Sequence, residues 1–165
     1  MYFRFLLIAA VVILLDQLTK LWIVREFVLY ESRVVVPGLF NLTYLTNNGA
    51  AFSMLAGTPA LWRQVLFITI ALVALILLVI AHHRFGRQSA WYTVGMALIA
   101  GGAVGNLIDR VRQGAVIDFL DVYVGDHHWP AFNVADAGIT IGVTVFIFVS
   151  VLFDRADRQQ QVGDR

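Results

Sequence analysis

Phe132-Asn133-Val134-Ala135-Asp136 stands at the mouth of a segment that then stays largely apolar to Phe153. A charge bordering hydrocarbon costs at least roughly 2–3 kcal/mol on insertion scales, so an ionisable group there is a functional candidate by default. A second carboxylate, Asp118, lies in another apolar run, Ala115-Val116-Ile117-Asp118-Phe119. Working outward, the chain offers four stretches near the ~20 apolar residues that a helix needs to cross a bilayer. They are Phe5–Val24, Leu61–Ala81, Ala90–Ile108 and Val134–Phe153; from Val65 to Ala81 only Thr69 is polar.

Composition points the same way. Of 165 residues, 59% are hydrophobic and 14% charged, with a mean hydropathy of +0.77, whereas soluble domains carry about 25% charged residues. The reading is an all-α membrane protein with one membrane-embedded domain over 1–153, then a charged, Gln-rich tail over 154–165 expected to be disordered. There are no cysteines, which excludes disulfides, thiol nucleophiles, cysteine–zinc sites and lipidation of a cysteine of the chain's own. Net charge is +1 without a basic tract, so nucleic acid is not an expected partner. The adjacent pairs His82-His83 and His127-His128 lack the spacing of helical zinc sites, and neither a metal nor a cofactor is expected. His127 or His128 is expected at the rim of a site.

Met1 to Leu15, with Arg4 in front, has the charged end and apolar stretch of a signal peptide. No small-x-small cleavage site follows; Asp16-Gln17-Leu18-Thr19-Lys20 interrupts an apolar run that continues, and a retained helix is the better reading. Four spans put both termini on one side. Arg4, Arg84, Arg87, Arg155, Arg158 and Arg165 then face Lys20, Arg25, Arg33, Arg63, Arg110 and Arg112. Setting aside Lys20 and Arg110, which look tied to polar clusters, leaves six against four and a weak preference for cytoplasmic termini. Between spans, Val34-Val35-Val36-Pro37-Gly38 and Leu39 to Thr46 suggest one or two strands bent at Pro37-Gly38, with a further strand over 115–123. A small sheet resting on the membrane follows. Trp22, Trp62, Trp91 and Trp129 fall near span ends, as interfacial anchors do.

The polar residues admit paired readings. Asp16 and Lys20, four apart with the acid first, share a helix face; they form either a structural ion pair or part of the chemistry. Asn47-Asn48-Gly49 is a turn, or an amide and free backbone groups lining a substrate groove. Gly101 and Gly105 let helices approach closely. Asn106, Asp109 and Arg110 read as capping plus an Asp–Arg pair at a helix end, or as a cluster orienting a catalytic carboxylate. Asn133 and Asp136 suit N-cap and N3 positions. Alternatively, Asp136 works with Asp118 on the same membrane face. Two carboxylates brought together cannot both ionise easily, so their pKa values split. One then draws a proton from water while the other donates to the carbonyl oxygen or leaving amine. The helix N-terminus favours Asp136 as the base. Asp121 and Asp126 read as ordinary loop acids.

Taken in order, Asp16-Gln17-Leu18-Thr19-Lys20, Asn47-Asn48-Gly49-Ala50-Ala51-Phe52, Gly101 to Arg110, Val116-Ile117-Asp118-Phe119 and Phe132-Asn133-Val134-Ala135-Asp136 resemble the lipoprotein signal peptidase (signal peptidase II) family. The resemblance implies a bacterial membrane aspartic peptidase with Asp118 and Asp136 as the catalytic pair. Asp16, Lys20, Asn47, Gly49, Asn106, Asp109, Arg110, Asn133 and Ala135 fall on its supporting positions. It further implies an extracytoplasmic β-cradle and a short amphipathic helix within 25–60, termini in the cytoplasm, and sensitivity to globomycin. Substrates would be prolipoproteins carrying a diacylglyceryl cysteine, cut on that residue's amino side within the membrane lipids. Two rivals stand beside it. A small proton- or ion-coupled transporter would need ionisable residues through the depth of the bundle. An assembly factor with polar glue between helices would tolerate Asp118→Asn.

Overall fold

The four apolar stretches become four long helices. The structure, a computed structural model, describes residues 2–49 and 60–163. Helix α1 spans Tyr2–Glu26, α2 Ala60–Phe85, α3 Ala90–Gln113 and α4 Val134–Gly163. Each is long and apolar enough to cross a membrane. Leu7, Leu14, Ile76, Leu77, Ile147 and Phe148 are exposed on the bundle's outside, as expected where the surrounding solvent is lipid.

Helix α3 is the hub, packing against α4, α1 and α2. Its small residues explain why. Association in lipid lacks the hydrophobic drive and depends on close packing. Gly101 and Gly105 face α1: a Cβ on Gly101 would stand 2.8 Å from the Ala9 carbonyl oxygen, and one on Gly105 2.6 Å from Asp16 Oδ2. Gly95 and Gly142 meet across α3 and α4, where a Cβ on Gly142 would lie 2.6 Å from the Gly95 carbonyl oxygen. A buried cluster of Phe5, Tyr92, Met96, Ala97, Ala100 and Val149 fills the end nearer the chain terminus.

At the other end lies a four-stranded antiparallel sheet in the order β1-β2-β3-β4. Its strands are β1 (Ser32–Val36), β2 (Phe40–Asn47), β3 (Val116–Val124) and β4 (His127–His128). Gly38, at φ +79, turns the chain between β1 and β2, a conformation that costs a glycine little. Gly114, at φ 77, ends α3 by donating its N–H to the Arg110 carbonyl and feeds directly into β3. A second buried cluster, Ile23, Phe27, Ile117 and Phe119, seats β3 on the end of α1.

Strand β4 falls on His127-His128, too short to be legible as a run. Helix α4 continues to Gly163, past the end of the apolar span; Arg, Gln and Ala there are residues that suit a helix the span has already nucleated. Among the described residues of 25–60, no helix lies between α1 and α2; 50–59, and with them part of the region of the expected amphipathic helix, lie outside the described residues.

Candidate active site

The polar residues picked out along the sequence converge at the end of the bundle that carries the sheet. Lys20 is their centre. Its side chain is 2% exposed and lies between two carboxylates, Asp16 Oδ2 at 2.8 Å and Asp109 Oδ2 at 2.7 Å. A third bond runs from Lys20 Nζ to Asn106 Oδ1 at 3.0 Å. Three acceptors match the three protons of an ammonium, the condition under which a buried charge is tolerable. The carboxylates are themselves pinned. Asp16 Oδ1 accepts the Ala135 N–H at 2.9 Å, and Asp109 Oδ2 accepts the Ile117 N–H at 3.3 Å. Gln17 Nε2 donates to Asp109 Oδ1 at 3.0 Å and to Asp16 Oδ2 at 3.2 Å. One cluster thus ties α1, α3, the first turn of α4 and β3 together.

Asn133 is the second centre, with no exposed surface. Its Oδ1 accepts the Asp136 N–H at 2.9 Å, while its own N–H donates to Asp136 Oδ2 at 3.3 Å. That reciprocal pair is a capping box with aspartate in the acid position. The amide nitrogen faces the other way, donating to Asp118 Oδ1 at 2.8 Å and to the Ile117 carbonyl at 3.1 Å. One residue therefore bonds both carboxyl groups, Asp118 through its side chain and Asp136 through its backbone N–H, and the capping reading is seen directly. Asn106 Nδ2 donates to Asp136 Oδ1 at 2.8 Å, linking this centre to Lys20.

Asp118 lies in β3 and is 4% exposed. Its other oxygen accepts from Asn47 Nδ2 at 3.1 Å, and Asn47 Oδ1 accepts the Gly49 N–H at 3.0 Å. Burial pushes the Asp118 carboxyl up from 3.8 to about 7, and the nearby Asp136 charge pushes the same way. The amides of Asn47 and Asn133 and the Lys20 charge oppose the rise without cancelling it. Asp118 is thus a carboxyl that can hold a proton near neutrality, beside a second carboxylate only half buried.

Several sequence readings change here. Asp109 does not pair with Arg110. Neighbours at i and i+1 do not face each other on a helix, and Asp109 turns to Lys20. Arg110 lies over the Phe67 ring at 5.1 Å, takes a long bond from its Nη1 to the Asn106 carbonyl at 3.4 Å, and sends its charge toward Asp136, Asp118 and Asp109. Ala135 contributes through its backbone: its N–H donates to Asp16 Oδ1, and its carbonyl lies so close to Gly102 that a Cβ there would strike it. Asp121 is no loop acid but a β3 residue, held by Asn41 Nδ2 at 2.8 Å and His128 Nδ1 at 2.8 Å. His128 stacks on Tyr123 and has no bond to Asp118 or Asp136. Gln17 was missed as a site residue; its i, i+1 position beside Asp16 gave no sign that it would reach α3.

The profile of Signal peptidase (SPase) II matches residues 8–153. The chain belongs to the signal peptidase II family. Among relatives, the lipoprotein signal peptidase of Syntrophus aciditrophicus (strain SB) is 48% identical over 150 residues, covering 90% of this chain and 91% of that one. The lipoprotein signal peptidase of Geobacter metallireducens is 49% identical over 144 residues, covering 87% and 88%. A solved bacterial membrane enzyme, determined by the in meso method at 2.3 Å resolution, superposes with a TM-score of 0.76 at 36% identity, covering 93% of this chain and 90% of that one. Signal peptidase II membership makes the chain a membrane peptidase. It also fits the placement of the buried acids: Asp16, Asp109 and Asp118 gather at one end instead of tracing the conduit a transporter would need.

Proposed function

We propose that this signal peptidase II is an aspartic endopeptidase that frees diacylglyceryl-modified prolipoproteins of their signal peptides, with Asp118 as acid and Asp136 as base. The observation that carries this is Asn133, one residue that donates to both carboxyl groups, to Asp118 from its side-chain amide and to Asp136 from its backbone N–H. Asp136 takes a proton from a water whose oxygen attacks the scissile carbonyl carbon. Asp118 gives its proton to the carbonyl oxygen, forming a neutral gem-diol. Return of a proton to the departing nitrogen breaks the C–N bond. The signal peptide leaves with a new carboxyl group, and the lipidated cysteine gains a free α-amine. No metal, thiol or cofactor enters these steps.

The substrate's form suits the place. An apolar signal helix lies in lipid, its scissile bond reaches the interface, and the acyl chains on the next residue stay in the membrane. We assign both termini to the cytoplasm and the acid pair to the extracytoplasmic face, since the site lies at the end of α1 far from Tyr2. Globomycin-type inhibitors are expected to compete at the same acids. The test is cleavage of a lipidated prolipoprotein by stably inserted Asp118→Asn and Asp136→Asn variants. Each should lose about 10²–10⁴ in rate. Cleavage at the wild-type rate by either one overturns the assignment.

A further inference from the structure

At the opposite end of the bundle is a cleft of about 460 Å³ that the peptidase chemistry does not use. Arg4, Ile8, Gly86, Arg87, Thr93 and Val94 are among the residues lining it. It opens between the first turns of α1, the α2–α3 turn and the start of α3. Its chemistry is divided. The two guanidinium groups are exposed, whereas Ile8 and Val94 are half-buried. Among the described residues, neither Arg4 nor Arg87 has a carboxylate within ion-pair distance. The floor is built rather than incidental. Gly86 is buried so tightly that a Cβ would lie 2.6 Å from the His82 carbonyl oxygen, and Thr93 Oγ1 donates to the Gly86 carbonyl at 3.4 Å. Arg4 follows the start of α1 at Tyr2 and Arg87 follows the end of α2 at Phe85, so both charges stand at the depth where spans leave the hydrocarbon.

We propose that this cleft binds the phosphate of an anionic glycerophospholipid. Arg4 and Arg87 hold the phosphate oxygens, for which the planar guanidinium fork is suited, while an acyl chain runs along Ile8 and Val94. Basic pockets between helix ends select anionic headgroups in this way. A free phosphate ion offers the same oxygens but nothing to cover the two apolar side chains.

The experiment reconstitutes the full chain in nanodiscs of phosphatidylcholine with and without phosphatidylglycerol, then measures by mass spectrometry which lipid stays bound. The wild-type chain should retain phosphatidylglycerol preferentially. Arg4→Gln and Arg87→Gln should each lower that preference about fivefold, the equivalent of ~1 kcal/mol per guanidinium. Arg84→Gln removes an equal charge nearby, from a side chain seated over the Phe85 ring at 5.5 Å, and should leave the preference intact. Arg87→Lys, which keeps the charge and loses the fork, serves if a Gln variant fails to fold; it should fall between the two. An Arg84→Gln loss equal to that of Arg87→Gln reduces the effect to diffuse charge and overturns the site. Complete displacement of phosphatidylglycerol by inorganic phosphate at equal concentration overturns the lipid as occupant.

Discussion

Replacing Lys20 by methionine isolates what the buried charge cluster contributes. In the native chain two carboxylates and one ammonium share a site in which Lys20, Asp16 and Asp109 are 2%, 0% and 4% exposed. Their net charge is −1. Lys20→Met makes it −2 in the same low-dielectric volume, and methionine fills much of the lost space without restoring a donor. Removing one partner of a buried pair costs about 3–5 kcal/mol, because the remaining charge is left uncompensated. Against a typical total stability of about 5–15 kcal/mol, that is severe, and for a chain of this size it lowers Tm by about 10 °C. Lys20→Met/Asp109→Asn returns the net charge to −1 and should recover half or more of the loss. The assay is thermal unfolding in detergent followed by tryptophan fluorescence, since Trp22 and Trp91 report on α1 and α3. A single variant within about 1 kcal/mol of wild type, or a double variant no better than the single, refutes the argument from charge balance.

Other expectations follow the same geometry. Asp118 is held at about 7 in the fold against 3.8 unfolded; a carboxyl raised this way takes up a proton on folding, so its contribution to stability grows as pH falls from about 7 toward 4 and is lost as pH rises through 7. Unfolding midpoints measured across that window should show this component in wild type and lack it in Asp118→Asn, and kcat/KM should decline on an alkaline limb near pH 7. Asn133→Ser keeps a helix-capping oxygen but loses the buried amide donor to Asp118 and the Ile117 carbonyl; stability should fall by about 1–3 kcal/mol while cleavage falls at least about tenfold, as judged by parallel unfolding and peptidase assays. Gly105→Ala forces a methyl against Asp16 Oδ2, at 2.6 Å before relaxation, and should cost about 1–3 kcal/mol in thermal unfolding.

The helices were legible because an apolar run of about 20 residues has few other uses. The hairpin at Pro37-Gly38 and the strand around Asp118 were legible from β-branched composition and turn chemistry. Local pairs also came through: Asp16 with Lys20 at i, i+4, and Asn133 with Asp136 at i, i+3, both appear as bonds. What the sequence could not give was pairing across helices. Asp109 goes to Lys20, 89 positions earlier by number, because the glycines of α3 bring the two backbones close enough. Gln17 reaches Asp109 for the same reason. Asp121 falls inside the strand read over 115–123, yet nothing in one strand names the asparagine that lies opposite it in β2; the register pairs Asn41 with Asp121.

Asn133 has a consequence for biogenesis. The residue that caps the last membrane crossing also holds the two acids, Asp118 by its side chain and Asp136 by its backbone N–H, so the pair assembles only when that crossing starts at the right residue. A nascent chain still threading into the bilayer, or one whose final helix has slipped in register, carries both acids yet holds them apart. The peptidase is therefore expected to stay inert until its own insertion is complete.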